Sequence, residues 1–221
     1  MSKELSHRGD ITGNTYIDPG ATTPEAYAIS STSRNLARKM VGNQTPEDRV
    51  RQRCSVAVGD FAMAGLLRFS GESVIATVNA LKNHAPIITD IRMVQIGIQK
   101  KGHHSEILCA LDAGGEIARD RGITRSSAGF IALKDRIPGS IVVIGNAPSA
   151  LLTLCGMISE GVRPAVVIGT PVGFVNAAES KDLLRTMTVP SISTEGTRGG
   201  TPVAVAAINE CITMLIEESG Q

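Results

Sequence analysis

Three short stretches of this 221-residue chain, "GNAP" at 145–148, "GTPVGF" at 169–174 and "TEGTRGG" at 194–200, combine glycine with small residues. Little side-chain bulk lets backbone N–H groups approach a bound anion, so carboxylate or phosphate binding is the chemistry they offer. A dinucleotide fingerprint needs three glycines where "GNAPSA" has one, and no Gly-Lys-Ser/Thr ending marks a phosphate-binding loop. A nucleotide- or phosphate-binding enzyme is thus a weakly supported reading, and three such loops together favour a large ligand. Gly-rich turns are also a routine structural device.

Other side chains have equally local readings. Thr89, Thr124 and Ser126 stand at element ends, where a hydroxyl either caps a helix or takes a carboxylate. Asp90, after "PIIT", has the position of a helix cap, and Met93 that of a core residue. His7 and His84 read as surface or packing residues. His103 and His104 share a loop with Lys101 and Gly102, without a third ligand at metal-binding spacing. Cys54, Cys109, Cys155 and Cys211 make no C-x-x-C pair, which points to buried thiols in a reducing cytoplasm and to no metal site.

The elements that must position these groups alternate along the chain. Helical patterns run from Pro24 to about Met40 and from Pro46 to about Arg68, the second behind the cap-like "TPED". Strands are expected in "PIITD", "EILCAL", "SIVVIG", "PAVVIG" and "PSIST", with helices between them and a last helix in "PVAVAAINECITMLIEE". Strand and helix in turn predict an α/β fold, three layers α/β/α around a mostly parallel sheet. Ligands of such sheets bind at the carboxyl edge, where the three Gly-rich loops open. The expected organisation is a flexible leader over residues 1–23 and one domain over 24–221.

Composition excludes several classes. Net charge is +1 and aromatic residues make up 3%, so neither a basic footprint nor stacking platforms for nucleic acid are present. "RVRQR" at 49–53 reads as a solvated helix face. No apolar run approaches the ~18 residues of a membrane span, and no apolar signal core opens the chain, so a cytoplasmic protein is expected.

Longer segments carry a resemblance. "PIITDIRMVQIGI" at 86–98, "TRSSAG" at 124–129, "IVVIGNAPSAL" at 141–151, "RPAVVIGTPVGFVNAAESK" at 163–181 and "TRGGTPVAVAAIN" at 197–209 resemble, in order, the precorrin-8X methylmutase (precorrin isomerase) family of cobalamin biosynthesis. The resemblance implies a three-layer α/β homodimer with active sites near the subunit interface and no nucleotide or redox cofactor. It implies an isomerase that moves a methyl group from C-11 to C-12 of precorrin-8, giving hydrogenobyrinate, or of its cobalt form, giving cobyrinate. This substrate is a tetrapyrrole rich in acetate and propionate carboxylates. Arg125, Lys181 and Arg198 would pair with these, and Gly145, Asn146, Ala147 and Pro148 would meet the macrocycle through backbone N–H groups and the Asn146 amide. Thr89, Asp90, Thr124, Ser126, Gly173 and Gly199 complete the expected substrate wall. The last helix has an apolar surface broad enough for core or dimer interface.

The resemblance breaks in "RQRCSVAVGD" at 51–60. The family pattern R-x-x-H-A-x-G-D is met by Arg53, Ala57, Gly59 and Asp60, but Val56 stands where the family has the histidine taken as proton donor. Valine neither donates nor accepts a proton. Asp60, four residues on, and His84 are candidate substitutes, with an N–H acceptor or arginine partner as the plainer role for Asp60. A tetrapyrrole-binding paralogue that has lost the chemistry is the alternative.

Overall fold

The four-residue runs "IVVI" and "VVIG" are apolar on both faces, which suits only strands covered on both sides. In the computed structural model, which describes residues 22–220, they are β4 (Ile141–Ile144) and β5 (Val166–Gly169), fully buried in the middle of one sheet. With β1 (Leu67–Ser70), β2 (Ile87–Thr89), β3 (Ile107–Cys109) and β6 (Ser191–Thr194), the order is β1-β6-β5-β4-β2-β3. All neighbours pair parallel except β1, which runs antiparallel to β6 at the edge.

One face carries α2 (Pro46–Val58), α4 (Ser73–Lys82), α5 (Arg92–Gly97) and α10 (Thr201–Ser219), with α1 (Pro24–Val41) packed outside α2. The other face carries α7 (Arg125–Ala132), α8 (Pro148–Ser159) and α9 (Ala177–Thr186), with α6 (Gly115–Arg121) beside α7. Local signals set the helix starts: Thr23 caps α1 by accepting from Ala26 N–H, and Thr45 and Asp48 close a reciprocal capping box on α2. Among the described residues no helix is long and apolar enough to cross a membrane. The expected leader lies outside the described residues apart from Thr22 and Thr23.

Several expectations need correction. The helix read from Pro46 to Arg68 is three elements. Gly59 takes a left-handed φ of 66° and ends α2, α3 (Ala62–Leu66) follows, and "LRFS" becomes the edge strand β1. Met93 is 67% exposed rather than in the core, because α5 is a short helix of six residues that turns only Val94 inward. The "RVRQR" cluster is not a solvated face. Arg49 and Arg53 pair with Glu210, buried on α10, and Arg51 lies over the Phe69 ring at 4.7 Å. The apolar surface of α10 is consumed inside the chain, since residues 203, 204 and 206–216 are all buried.

Candidate active site

In an open parallel sheet the binding crevice lies where strand order reverses, here between the carboxyl ends of β2 and β4. That crevice holds a side chain of the protein itself. Asp90 follows β2, is fully buried, and accepts N–H bonds from Gly145 at 3.2 Å and from Asn146 and Ala147 at 2.8 Å each. Burial pushes the carboxyl pKa up, and the three N–H bonds act against that rise. The backbone donors of "GNAP" at Gly145, Asn146 and Ala147 are thus taken by Asp90. Nor does Asp90 cap α5, whose first turn has no side-chain cap. Gly145 is required by space, because a Cβ there would stand 2.9 Å from Thr201 Cα and from Val94. Pro148 opens α8 at its first position, and only the exposed Asn146 amide is left facing outward from this turn.

On one side of the turn, Thr124 caps α7 through Ser127 N–H and its hydroxyl meets Ser149 Oγ at 2.8 Å. Ser126 is buried, and Thr89 donates to Leu108 O at 3.0 Å, so the Thr89 hydroxyl serves the scaffold. Arg125 is exposed, donates one bond to Leu111 O at 3.0 Å, and has no carboxylate partner among the described residues.

On the other side the loops after β5 and β6 are tied together: Gly173 N–H donates to Thr197 O at 3.1 Å and Gly200 N–H to Thr170 O at 2.7 Å. A Cβ on Gly199 would lie 2.3 Å from Thr170 O, so this close approach admits only glycine. Lys181, expected to face solvent or ligand, is fully buried. Its Nζ donates to Thr194 Oγ1 at 3.1 Å and to Arg198 O at 2.7 Å, and burial lowers its pKa from 10.5 to about 8. The Arg198 guanidinium, half exposed, pairs with Asp60 at the end of α2.

That pair decides the fate of one candidate acid. The hydrogen bond from Arg198, supported by Ala62 N–H at 2.8 Å, holds the Asp60 carboxyl below the usual carboxylate range. It is ionised at neutral pH and has no proton to give. His84 fails on position, for it precedes β2 at the amino edge of the sheet. Val56 lines a groove with Pro202, whereas His84 borders a cavity with Leu215. Thirteen residues of α10 separate these two points by about 20 Å.

The groove at Val56 has a volume of about 340 Å³ and runs between α1, α2 and α10. Val56 is 41% exposed, with Arg53, Ala57, Pro202 and Asn209 around it. Beneath it lies a feature the sequence reading missed: the fully buried Glu210 carboxylate is paired with Arg34, with Arg49 at 2.9 Å and with Arg53 at 3.3 Å. The i, i+4 spacing of Arg49 and Arg53 and a lone acid in the apolar run "INECI" were its only sequence signals. No cluster of three or more metal-ligating acids, histidines or cysteines occurs among the described residues.

Comparison with known proteins adds to this geometry. The sequence profile of the CbiC family, precorrin-8X methylmutase, matches residues 28–214. The cobalt-precorrin-8 methylmutase of Methanocaldococcus jannaschii is 37% identical over 206 residues, covering 87% of this chain and 96% of its own. The precorrin-8X methylmutase of Pseudomonas aeruginosa is 35% identical over 206 residues, covering 90% and 97%. In structure, the precorrin-8x methyl mutase of Thermus thermophilus superposes with a TM-score of 0.80 at 35% identity, over 86% of this chain and 97% of the other.

Proposed function

The chain belongs to the precorrin-8X methylmutase family, and from that premise we propose that it is an isomerase of cobalamin biosynthesis, moving a methyl group from C-11 to C-12 of a precorrin-8 macrocycle. The observation that carries this reading is the match along residues 28–214, which takes in the whole carboxyl edge of the sheet. The relatives are named for both the cobalt and the metal-free macrocycle, so the two forms share one substrate class. A sequestering protein without chemistry is not favoured, since the relatives are named methylmutases.

The carboxyl edge suits a large polycarboxylate. Arg125 and Arg198, on either side of the Asp90-bound turn, have guanidinium donors for acetate and propionate arms, and the Asn146 amide stands between them. Lys181 acts one step back, holding the Arg198 carbonyl and with it the loop. The groove beside Val56 is small for a whole macrocycle and takes one edge of it. With valine at that point, the reaction runs without imidazole assistance from α2. A positioned proton donor contributes about 10² to 10⁴ in rate, so turnover is slow by that measure.

The protein works as a cytoplasmic homodimer in this reading. Support comes from apolar side chains left exposed, Met93 and Ile96 on α5 and Phe174 and Val175 in the loop after β5. Light scattering at micromolar concentration tests it, a monomeric mass counting against the dimer.

Incubation with precorrin-8 and, separately, with its cobalt form, followed by visible spectroscopy and product analysis, tests the activity. Catalytic formation of the 12-methyl product supports the proposal. A stoichiometric spectral shift without product overturns it.

A further inference from the structure

The amino edge of the sheet, about 20 Å along α10 from the groove at Val56, carries a second basin that the methylmutase reading does not use. A cavity of about 500 Å³ lies between the end of α4, the loop from α5 to β3 and the end of α10. Lys82, His84, Lys100, Lys101, His104 and Ser219 line it, and no acidic side chain does. Glu218 stands nearby but is paired with Lys82 at 2.5 Å, while Lys100 and Lys101 have no ion-pair partner among the described residues.

The loop that presents these groups is built, not merely exposed. His103 donates from Nε2 to Gln99 O at 2.8 Å and accepts Ser105 N–H on Nδ1 at 3.1 Å, and burial lowers its pKa, so it serves as a neutral clip. Gly102, at a φ of 90°, sits where a Cβ would strike Ile216 at 2.4 Å, which presses the loop onto α10. Asn209 of α10 holds the start of the loop through Gln99 N–H at 3.0 Å and Gly97 O at 2.9 Å.

Two further observations point to a ligand. His84 has a left-handed φ of 56° directly after α4, a conformation that glycine adopts at lower cost, and this sets its ring against that of His104 with centroids 5.4 Å apart. A neighbouring cavity of about 510 Å³ shares Lys100, His103 and His104, and Ser105, 92% buried on its wall, has a hydroxyl with no hydrogen-bond partner among the described residues.

We infer that this basin binds a small multivalent oxyanion, held by Lys82, Lys100 and Lys101 and by the His84 and His104 imidazoles.

Calorimetric titration of the full chain with pyrophosphate and, separately, with citrate at one fixed pH tests this. Saturable binding of one or both probes is expected, and the two arms separate phosphate from carboxylate preference. Lys100→Ala with Lys101→Ala should weaken it by about tenfold or more. His84→Gly, which the left-handed backbone accepts without strain, should also weaken binding while leaving folding and methylmutase turnover unchanged. No binding of either probe, or binding equal in wild type and both variants, overturns the inference.

Discussion

Lys181 offers a test that reads the carboxyl-edge architecture directly, through Lys181→Met. The ammonium is fully buried, and its hydrogen bonds go to a hydroxyl and a carbonyl rather than to a carboxylate, so burial dominates and the pKa falls from 10.5 to about 8. Below about pH 8 folded and unfolded chains both carry the proton. Between about 8 and 10.5 the unfolded chain keeps it and the folded chain has lost it, so stability rises with pH across this window. At about 1.4 kcal/mol per pH unit, the gain approaches about 3 kcal/mol by the top of the window. Methionine has no such proton. Urea unfolding of wild type and Lys181→Met at intervals from about pH 7 to about pH 10.5 should therefore show the wild type gaining on the variant, by up to about 3 kcal/mol. Other alkaline titrations affect both proteins and cancel in the difference. Parallel stability curves would refute the argument that burial sets the charge of this lysine.

Val56→His should raise methylmutase turnover by up to about 10² to 10⁴, because the side chain already opens onto a groove with room for an imidazole; an unchanged rate in a folded variant excludes the position. Asp90→Asn sets an amide N–H against one of the three turn N–H groups and should cost about 1–3 kcal/mol in urea unfolding, with loss of turnover. Glu210→Gln leaves three arginines around a neutral amide and should cost about 3–5 kcal/mol, measured by the same unfolding. Arg125→Ala and Arg198→Ala should each weaken tetrapyrrole affinity in a spectral titration and reduce its salt sensitivity, and unchanged affinity in both moves the binding site elsewhere.

The sheet was legible where burial leaves a mark in the residues themselves. The buried central strands β4 and β5 are apolar along their length, branched up to Gly169, and so stand out in sequence, whereas buried β6 carries serine and threonine. The edge strand β1 carries no such mark: "LRFS" is half polar, four residues long and preceded by a helix, and only its pairing with β6, over a hundred residues away, makes it a strand. The site shows the same division. The stretches at the carboxyl edge could be read locally, but the partners of their polar groups could not. Asp90 binds a turn 55 residues downstream, and Lys181 reaches a carbonyl 17 residues on. A capping aspartate and a crevice-filling one look alike in sequence, as do a solvent lysine and a buried one.

Those internal partners bear on how a substrate is received. Asp90 takes the N–H groups of the "GNAP" turn, so in the proposed reading recognition of substrate carboxylates falls to side chains at the rim of the crevice. Arg198 at that rim is engaged with Asp60 while its carbonyl is fixed by Lys181 and by Thr194 Oγ1 at 2.7 Å. A propionate that takes the guanidinium must compete with Asp60, an exchange of one exposed carboxylate for another that is close to balanced in water. Its cost is low, but so is its gain, unless the macrocycle also excludes water from the pair. Displacing Asp60 from Arg198 leaves the turn that joins α2 to α3, one helical turn from Val56, held by its own bonds, such as those from Ala62 N–H to Asp60 and from Asp60 N–H to Ser55 O. In the proposed reading, carboxylate recognition at Arg198 and the groove at Val56 are therefore linked through a single short turn of chain.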